Sequence, residues 1–294
     1  MTAPKPSWAR KCGEQKAREL GYDSFPIDPF EIARGEGIEL SPKKPDQIGV
    51  SGGIVFFGDD VGIFYSTDIK SLGFQRFTVA HELGHYFLKG HPEAILKIGA
   101  AHVSRAGFTE GGQAIEIEAD HFASGLLLPT TLVRRHLADE PIGLEGIEAL
   151  ADVSHCSLTA SAIRTAECSP YPVAIVVSRG DEVRYAFMSD GFKQLGALTY
   201  LRKGDALPDT LTRRFNASAT NVASGMRACE ETNLNCWFNG DRRIALDEQV
   251  VGLGSYGFTL TVLSSDNLPD DPDEVEDEEA QLIESYTPKF ARGR

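Results

Sequence analysis

Apolar residues along this chain fall into two periods, and the change from one to the other divides it. Residues 74–89, FQRFTVAHELGHYFLK, place Phe77, Val79, Ala80, Leu83, Phe87 and Leu88 around a few polar positions, which predicts a helix buried on most sides. Residues 113–128, QAIEIEADHFASGLLL, carry Ala119, Phe122, Ala123, Leu126 and Leu127 at three- and four-residue spacing, predicting a second helix with a core-facing stripe that Pro129 ends. Residues 8–21 read as a surface helix ending at Gly21, and the Pro-Ile-Asp-Pro run at 26–29 opens a short helix through Ala33. Two β-like runs, GIVFF at 53–57 and VGIFY at 61–65, are joined by Gly58-Asp59-Asp60, a hairpin signal. The stretch 90–112, glycine-rich at both ends, is expected to be an ordinary loop or a flap. A short helix follows at 131–136, and residues 145–166 resemble a helix-turn-helix pair with a Ser-containing turn between apolar-faced helices.

At Ser169-Pro170-Tyr171-Pro172 the period changes. VAIVVS, EVRYAFM and FTLTVL are strand-like, separated by a mixed segment at 193–236. The expected organisation is α+β: a catalytic-core-like region at 1–130, a helical segment at 131–168, a small α+β domain at 169–265, and a tail at 266–294 too charged and too poor in large apolar residues to fold.

Charge sharpens this division. The 294 residues carry a formal net charge of −14, and residues 266–284 alone hold ten acids and no base. The remainder is only mildly acidic, which argues against bulk nucleic-acid binding by phosphate neutralisation. On the second helix of the helix-turn-helix-like pair, Arg164 is the one basic residue available for DNA. The N-terminal residues show no apolar leader pattern and no segment approaches the length of a membrane span, so the expected location is cytoplasmic. Five scattered cysteines without a CxxC pair suit reduced thiols.

The chemistry sits in the first buried helix. His81 and His85 are four apart, about 40° apart on a helix turning about 100° per residue, so they share one face. Two imidazoles on consecutive turns can hold one divalent ion, and Glu82 stands beside that ion as the general base for its water, the pattern of a zinc hydrolase. Gly84 costs helix propensity and predicts a neighbouring element packed too close for a side chain. A catalytic zinc takes three protein ligands. Glu116 lies beside the apolar stripe of the second helix and has the right chemistry, with Asp120 one turn on able to accept the free N–H of a ligating imidazole. Glu118 faces elsewhere on that helix and is expected to be solvated, yet it stays an alternative ligand together with His91 and His102. Tyr65, Tyr86 and His102 are candidate oxyanion donors.

The segments RFTVAHELGH and EIEADHFASGLLLP together resemble the ImmA/IrrE family of metallo-endopeptidases, and FPIDPFEIARGEGIEL looks like the family's short helix and strand before the core. The resemblance spans residues 10–168. It implies a zincin-like, gluzincin-type site with one Zn²⁺ held by His81, His85 and Glu116, and Glu82 as base. It also implies a substrate class, helix-turn-helix repressors whose cleavage derepresses stress-response or mobile-element genes. In some members a GAF-like sensor module occupies the position of residues 169–265. The chain departs from the family's pattern at Lys89, where members often carry His, and in its acidic tail. The competing expectation is a non-proteolytic, metal-containing regulator that binds DNA or a protein through residues 145–168.

Overall fold

A computed structural model describes residues 4–43, 50–68, 71–105, 114–239 and 243–265. The acidic tail and the second half of the 90–112 stretch lie outside the described residues. The molecule is mixed α+β and divides into two compact units, Met1–Ser169 and Pro170–Arg294. No helix of the described residues is long and apolar enough to cross a membrane.

The first unit runs α1 (Pro6–Glu19), α2 (Pro29–Gly35), β1 (Glu39–Lys43), β2 (Val50–Phe57), β3 (Asp60–Ser66), α3 (Leu72–Phe87), α4 (His91–Ile98), β4 (Ala101–Arg105), α5 (Ala114–Leu127), α6 (Thr130–Leu137), α7 (Leu144–Ser154) and α8 (Leu158–Cys168). Its sheet has the order β1-β3-β2-β4, with β1 parallel to β3 and the other pairs antiparallel. The expected hairpin is β2–β3, and Gly58 in its turn takes φ 61°, a conformation other residues rarely adopt. The stretch read as a loop or flap is instead structured where it is described: it forms α4 and then β4, which pairs with β2 at the sheet edge. Its glycines are the reason for that misreading. Gly90 (φ 94°) begins α4 and Gly99 ends it, so the punctuation marks the limits of a short helix rather than a loop.

Side chains capping three helices explain where they begin. The Asp28 carboxylate accepts from the Phe30 amide at 2.9 Å, the Ser71 hydroxyl from Phe74 at 3.4 Å, and the Ser157 hydroxyl from Ala160 at 3.1 Å. The core lies between α3, α5 and the inner face of the sheet: Val79, Ala80 and Leu83 of α3 meet Ile54 and Ile63 of the strands and Phe122, Ala123 and Leu126 of α5. Helices α1 and α5 cross at a pair of glycines. A Cβ on Gly13 would collide with the Phe122 carbonyl oxygen, and one on Gly125 with that of Arg10.

Arg164 fastens the far side of this unit. It is 1 % exposed, and its guanidinium donates to the Leu128 carbonyl (2.9 and 3.1 Å), the Thr130 hydroxyl (3.0 Å), Glu14 (3.3 Å) and Glu167 (2.7 Å). The basic residue that could have touched DNA is therefore committed inside the fold. Removing one partner of a buried, hydrogen-bonded ion pair leaves the rest uncompensated. Arg164→Ala is expected to lower the stability of the unit by roughly 3–5 kcal/mol, measured by urea denaturation, and Arg164→Lys by less because one Nζ cannot span four acceptors.

The second unit contains β5 (Val173–Arg179), β6 (Glu182–Met188), α9 (Asp190–Lys193), α10 (Leu211–Asn216), α11 (Ala219–Ala223), β7 (Arg227–Asn233), α12 (Leu234–Phe238), β8 (Ala245–Gly252) and β9 (Thr259–Ser264). They form an antiparallel sheet of order β6-β5-β9-β8-β7. The three apolar runs read as strands are β5, β6 and β9. Strand β7 went unread because it is an edge strand whose exposed residues need no apolar alternation, and β8 because it carries Asp247 and Glu248. Glu248 is nevertheless fully buried. It accepts from the Thr210 hydroxyl (3.0 Å), the Thr212 amide and hydroxyl (both 2.7 Å) and the Trp237 indole N–H (3.2 Å), so its charge is met entirely by hydrogen bonds.

Candidate metal centre

The centre is built where α3 and α5 touch. A Cβ on Gly84 would come within 3.1–3.3 Å of Ala119, so the glycine lets the two helices approach at the turn that carries the polar residues. This brings Glu116 and Asp120, on successive turns of α5, to opposite ends of one ring on α3. Asp120 Oδ1 lies 2.8 Å from His81 Nδ1, and Glu116 Oε2 lies 3.5 Å from His81 Nε2. His85 Nε2 is 3.1 Å from His81 Nε2 and 3.4 Å from Glu116 Oε1. With Nδ1 donating to Asp120, Nε2 of a neutral His81 is left as a lone-pair donor. Three such donors then converge on one point.

Their separations test whether a metal fits. An ion bonded at about 2.0–2.1 Å to tetrahedral donors sets them about 3.3–3.4 Å apart; the two imidazole nitrogens here are 3.1 Å apart and meet the Glu116 carboxylate at 3.4 Å (Oε1) and 3.5 Å (Oε2), and one ligand atom from each residue lies within 4.8 Å of the other two. His81, His85 and Glu116 form the one group of this kind among the described residues. The donor set, two imidazoles and a carboxylate, suits zinc and other borderline divalent ions.

Electrostatics follow from burial and from this clustering. Burial pushes the His85 imidazole down to about 3, keeping it neutral and able to ligate. For His81, burial opposes the charge, but the carboxylates of Asp120 and Glu116 outweigh it and raise the ring to about 10. Among the protein groups alone a proton thus sits where a cation fits, and metal uptake releases it. Glu116 is held well below the usual carboxylate range: burial acts against this, and the neighbouring imidazoles of His102, His81 and His85 overcome it.

Glu82 stands beside the donors, fully buried, and neither of its oxygens has a well-formed hydrogen bond. Burial raises it to about 6; His81, the Ser104 hydroxyl and His102 offset only part of that cost. Ser104 and His102 arrive from β4. They pair in register with Gly52 and Ile54 of β2, and Ile54 is an inward residue, so both face α3. His102 Nε2 lies 2.9 Å from Glu116 Oε1, and its ring centroid is 4.6 Å from that of His85. Of the three oxyanion donors considered, Tyr65 packs edge-on against Phe30 and Tyr86 against Phe87, whereas His102 stands at the centre.

Two expectations change. Glu118 is not solvated: its side chain is 13 % exposed, it lies 3.0 Å from His91 Nε2, and it accepts from the Lys5 amide at 2.8 Å. His91 is absent from the converging donors and contacts His85 Nδ1 instead, at 3.2 Å. Ser104 went unnoticed in the sequence. Only strand alternation could have found it, and that requires knowing that β4 exists.

Fold and site together give an α+β core that brings two histidines and a glutamate into one group able to hold a metal ion. Residues 58–157 match the IrrE N-terminal-like domain of the Peptidase M78 family. That segment contains α3 and α5, and the match is consistent with a metallopeptidase of the ImmA/IrrE type. No curated protein matches the chain. Among solved structures, a Mycobacterium tuberculosis transcriptional regulator is similar in fold, with a TM-score of 0.52 at 15 % identity over 90 % of this chain and 82 % of that one.

Proposed function

We propose that this protein is a cytoplasmic zinc endopeptidase that cuts a specific regulatory protein, a helix-turn-helix repressor by the family resemblance, and so derepresses stress-response or mobile-element genes. The observation that carries the reading is the grouping of His81, His85 and Glu116 beside a buried carboxylate, Glu82, that makes no well-formed hydrogen bond among the described residues. A structural metal site has no use for Glu82, whose burial is costly; a hydrolase requires it.

His81, His85 and Glu116 hold the metal. Zinc, when bound, supplies a Lewis acid for the scissile carbonyl and its attacking water. Glu82 takes the water's proton and later delivers it to the leaving amine. His102 faces the same space from β4 and donates a hydrogen bond to charge developing on the carbonyl oxygen. Because β4 is an edge strand, an extended peptide can pair with its free backbone edge and present a bond without demanding particular side chains. The second unit, an antiparallel five-stranded sheet carrying helices, suits the GAF-like sensor role as the part that switches activity.

The test is incubation of the purified full-length chain with the repressor encoded beside its gene, with and without a chelator, read by gel and mass spectrometry. A single metal-dependent cut is expected. No cut in either arm, with about one zinc bound per chain, favours the non-proteolytic regulator. The structural neighbour, described as a transcriptional regulator, is why that alternative is kept.

A further inference from the structure

The metal centre has two imidazoles, and the structure holds them differently. His81 donates directly to a carboxylate, whereas His85 meets a second imidazole, and that imidazole meets the carboxylate: His85 Nδ1 to His91 Nδ1 is 3.2 Å, and His91 Nε2 to Glu118 Oε2 is 3.0 Å. His91 is 2 % exposed, and Glu118 is fixed from its other oxygen by the Lys5 amide.

The hydrogens along this line can be assigned by elimination. An ionised Glu118 only accepts, so His91 Nε2 must carry a hydrogen. In that tautomer His91 offers Nδ1 as an acceptor, and the geometry places the hydrogen between the two rings on His85 Nδ1. That leaves His85 Nε2 as a free lone pair, 3.1 Å from His81 Nε2 and 3.4 Å from Glu116 Oε1. The line thus ends on a carboxylate two residues from Glu116 on the same helix. The backbone is built to put His91 there. After Leu88 leaves helical geometry (ψ 122°), Gly90 at φ 94° turns the chain so that α4 starts with His91 beneath α3.

We propose that His91 and Glu118 are a positioning pair that sets the tautomer and orientation of His85, doing for this ring through an interposed imidazole what Asp120 does directly for His81. Neither residue touches the metal or the reacting atoms. The proposal rests on the metal-centre reading for its functional meaning, although the tautomer itself does not.

The experiment uses the full-length chain and four proteins: wild type, His91→Leu, His91→Asn and Glu118→Gln. Two quantities are read, the ¹⁵N signals of the His85 ring in metal-free and zinc-loaded protein, and zinc affinity by competition with a chromophoric chelator. In wild type the His85 ring is expected to be Nδ1-protonated in both states. His91→Leu should lose that single tautomer and bind zinc about 10–100-fold more weakly. His91→Asn puts an amide oxygen near the place of Nδ1 and should restore most of both. Glu118→Gln keeps the shape but removes the charge and should fall between. If His91→Leu does not fold, the other two variants still carry the comparison. An Nε2-protonated His85 in wild type overturns the proposal, as does a His91→Asn as weak as His91→Leu, which would mean packing alone. If wild type takes up no zinc while His85 remains Nδ1-protonated, the metal reading fails and the pair stands.

Discussion

Replacing Glu82 by Gln is expected to abolish cleavage while leaving metal uptake intact. The carboxylate lies beside the three donors rather than among them, so about one zinc should still bind, measured by mass spectrometry under native conditions. Loss of a positioned general acid–base lowers turnover by roughly 10²–10⁴-fold, and cleavage at the wild-type rate would remove Glu82 from the mechanism. The same change should stabilise the chelator-treated protein. Glu82 is raised from 4.5 to about 6 in the fold, so its stability contribution is complete below about 4.5 and is lost as pH rises through 6. At neutral pH the ionised, unpartnered carboxylate therefore costs up to about 2 kcal/mol, which the neutral amide avoids. Thermal melts of the two proteins should separate at pH 7 and converge at pH 4. Activity runs the other way, because the base must be ionised: cleavage by the metal-loaded protein should decline on acidification, read from a pH–rate profile. A residue that lowers stability where the enzyme works, and is kept there, is the mark of a functional rather than a structural carboxylate.

The second large effect is on the metal itself. Glu116→Ala should reduce zinc affinity well beyond the roughly 10–100-fold expected for loss of an outer partner such as His91, in the same chelator competition. Glu116 also supplies negative charge shared by His81, His85 and His102, at 3.5, 3.4 and 2.9 Å, so its removal leaves the three rings with the Asp120 carboxylate on His81 and the Glu82 carboxylate beside them. Because the depressed Glu116 carboxyl stabilises the fold above its ordinary value of 4.5 and loses that contribution as pH falls, the metal-free variant is expected to be less stable than wild type at neutral pH, with the difference in thermal melts shrinking on acidification. A reversed order of affinities, with His91→Ala the weaker binder, would make His91 the ligand and contradict the grouping of His81, His85 and Glu116.

How much of this was legible beforehand depends on the range of the signal. The two helices of the site were plain, because buried helices write their period over sixteen residues and His81, Glu82 and His85 sit within a single turn and a quarter. Glu116 and Asp120 could be singled out because both flank an apolar stripe. Gly84 announced a close neighbour by its cost, although only the structure shows that the neighbour is Ala119. The short elements were harder. Strand β4 has five residues and lies next to a helix bounded by glycines, so local pattern favoured a loop. In the second unit, β7 and β8 are polar, since one is an edge and the other buries Glu248 among hydroxyls.

Glu118 marks the boundary between the two kinds of information. On a helix wheel it points away from Glu116 and Asp120, and solvent was the natural inference. Its surroundings are made instead by α4, which the chain reaches after a left-handed turn at Gly90, and by the Lys5 amide, 113 residues away in sequence. The sequence by itself determined the α+β class, the helix that carries His81, Glu82 and His85, and the acidic partner helix, because these depend on periodicity and residue chemistry within one segment. Tertiary structure alone decided which acid meets which imidazole, that His102 and Ser104 face the site, and that His91 stands behind His85. Those are distances between segments, fixed by how closely backbones pack, and no local period encodes them.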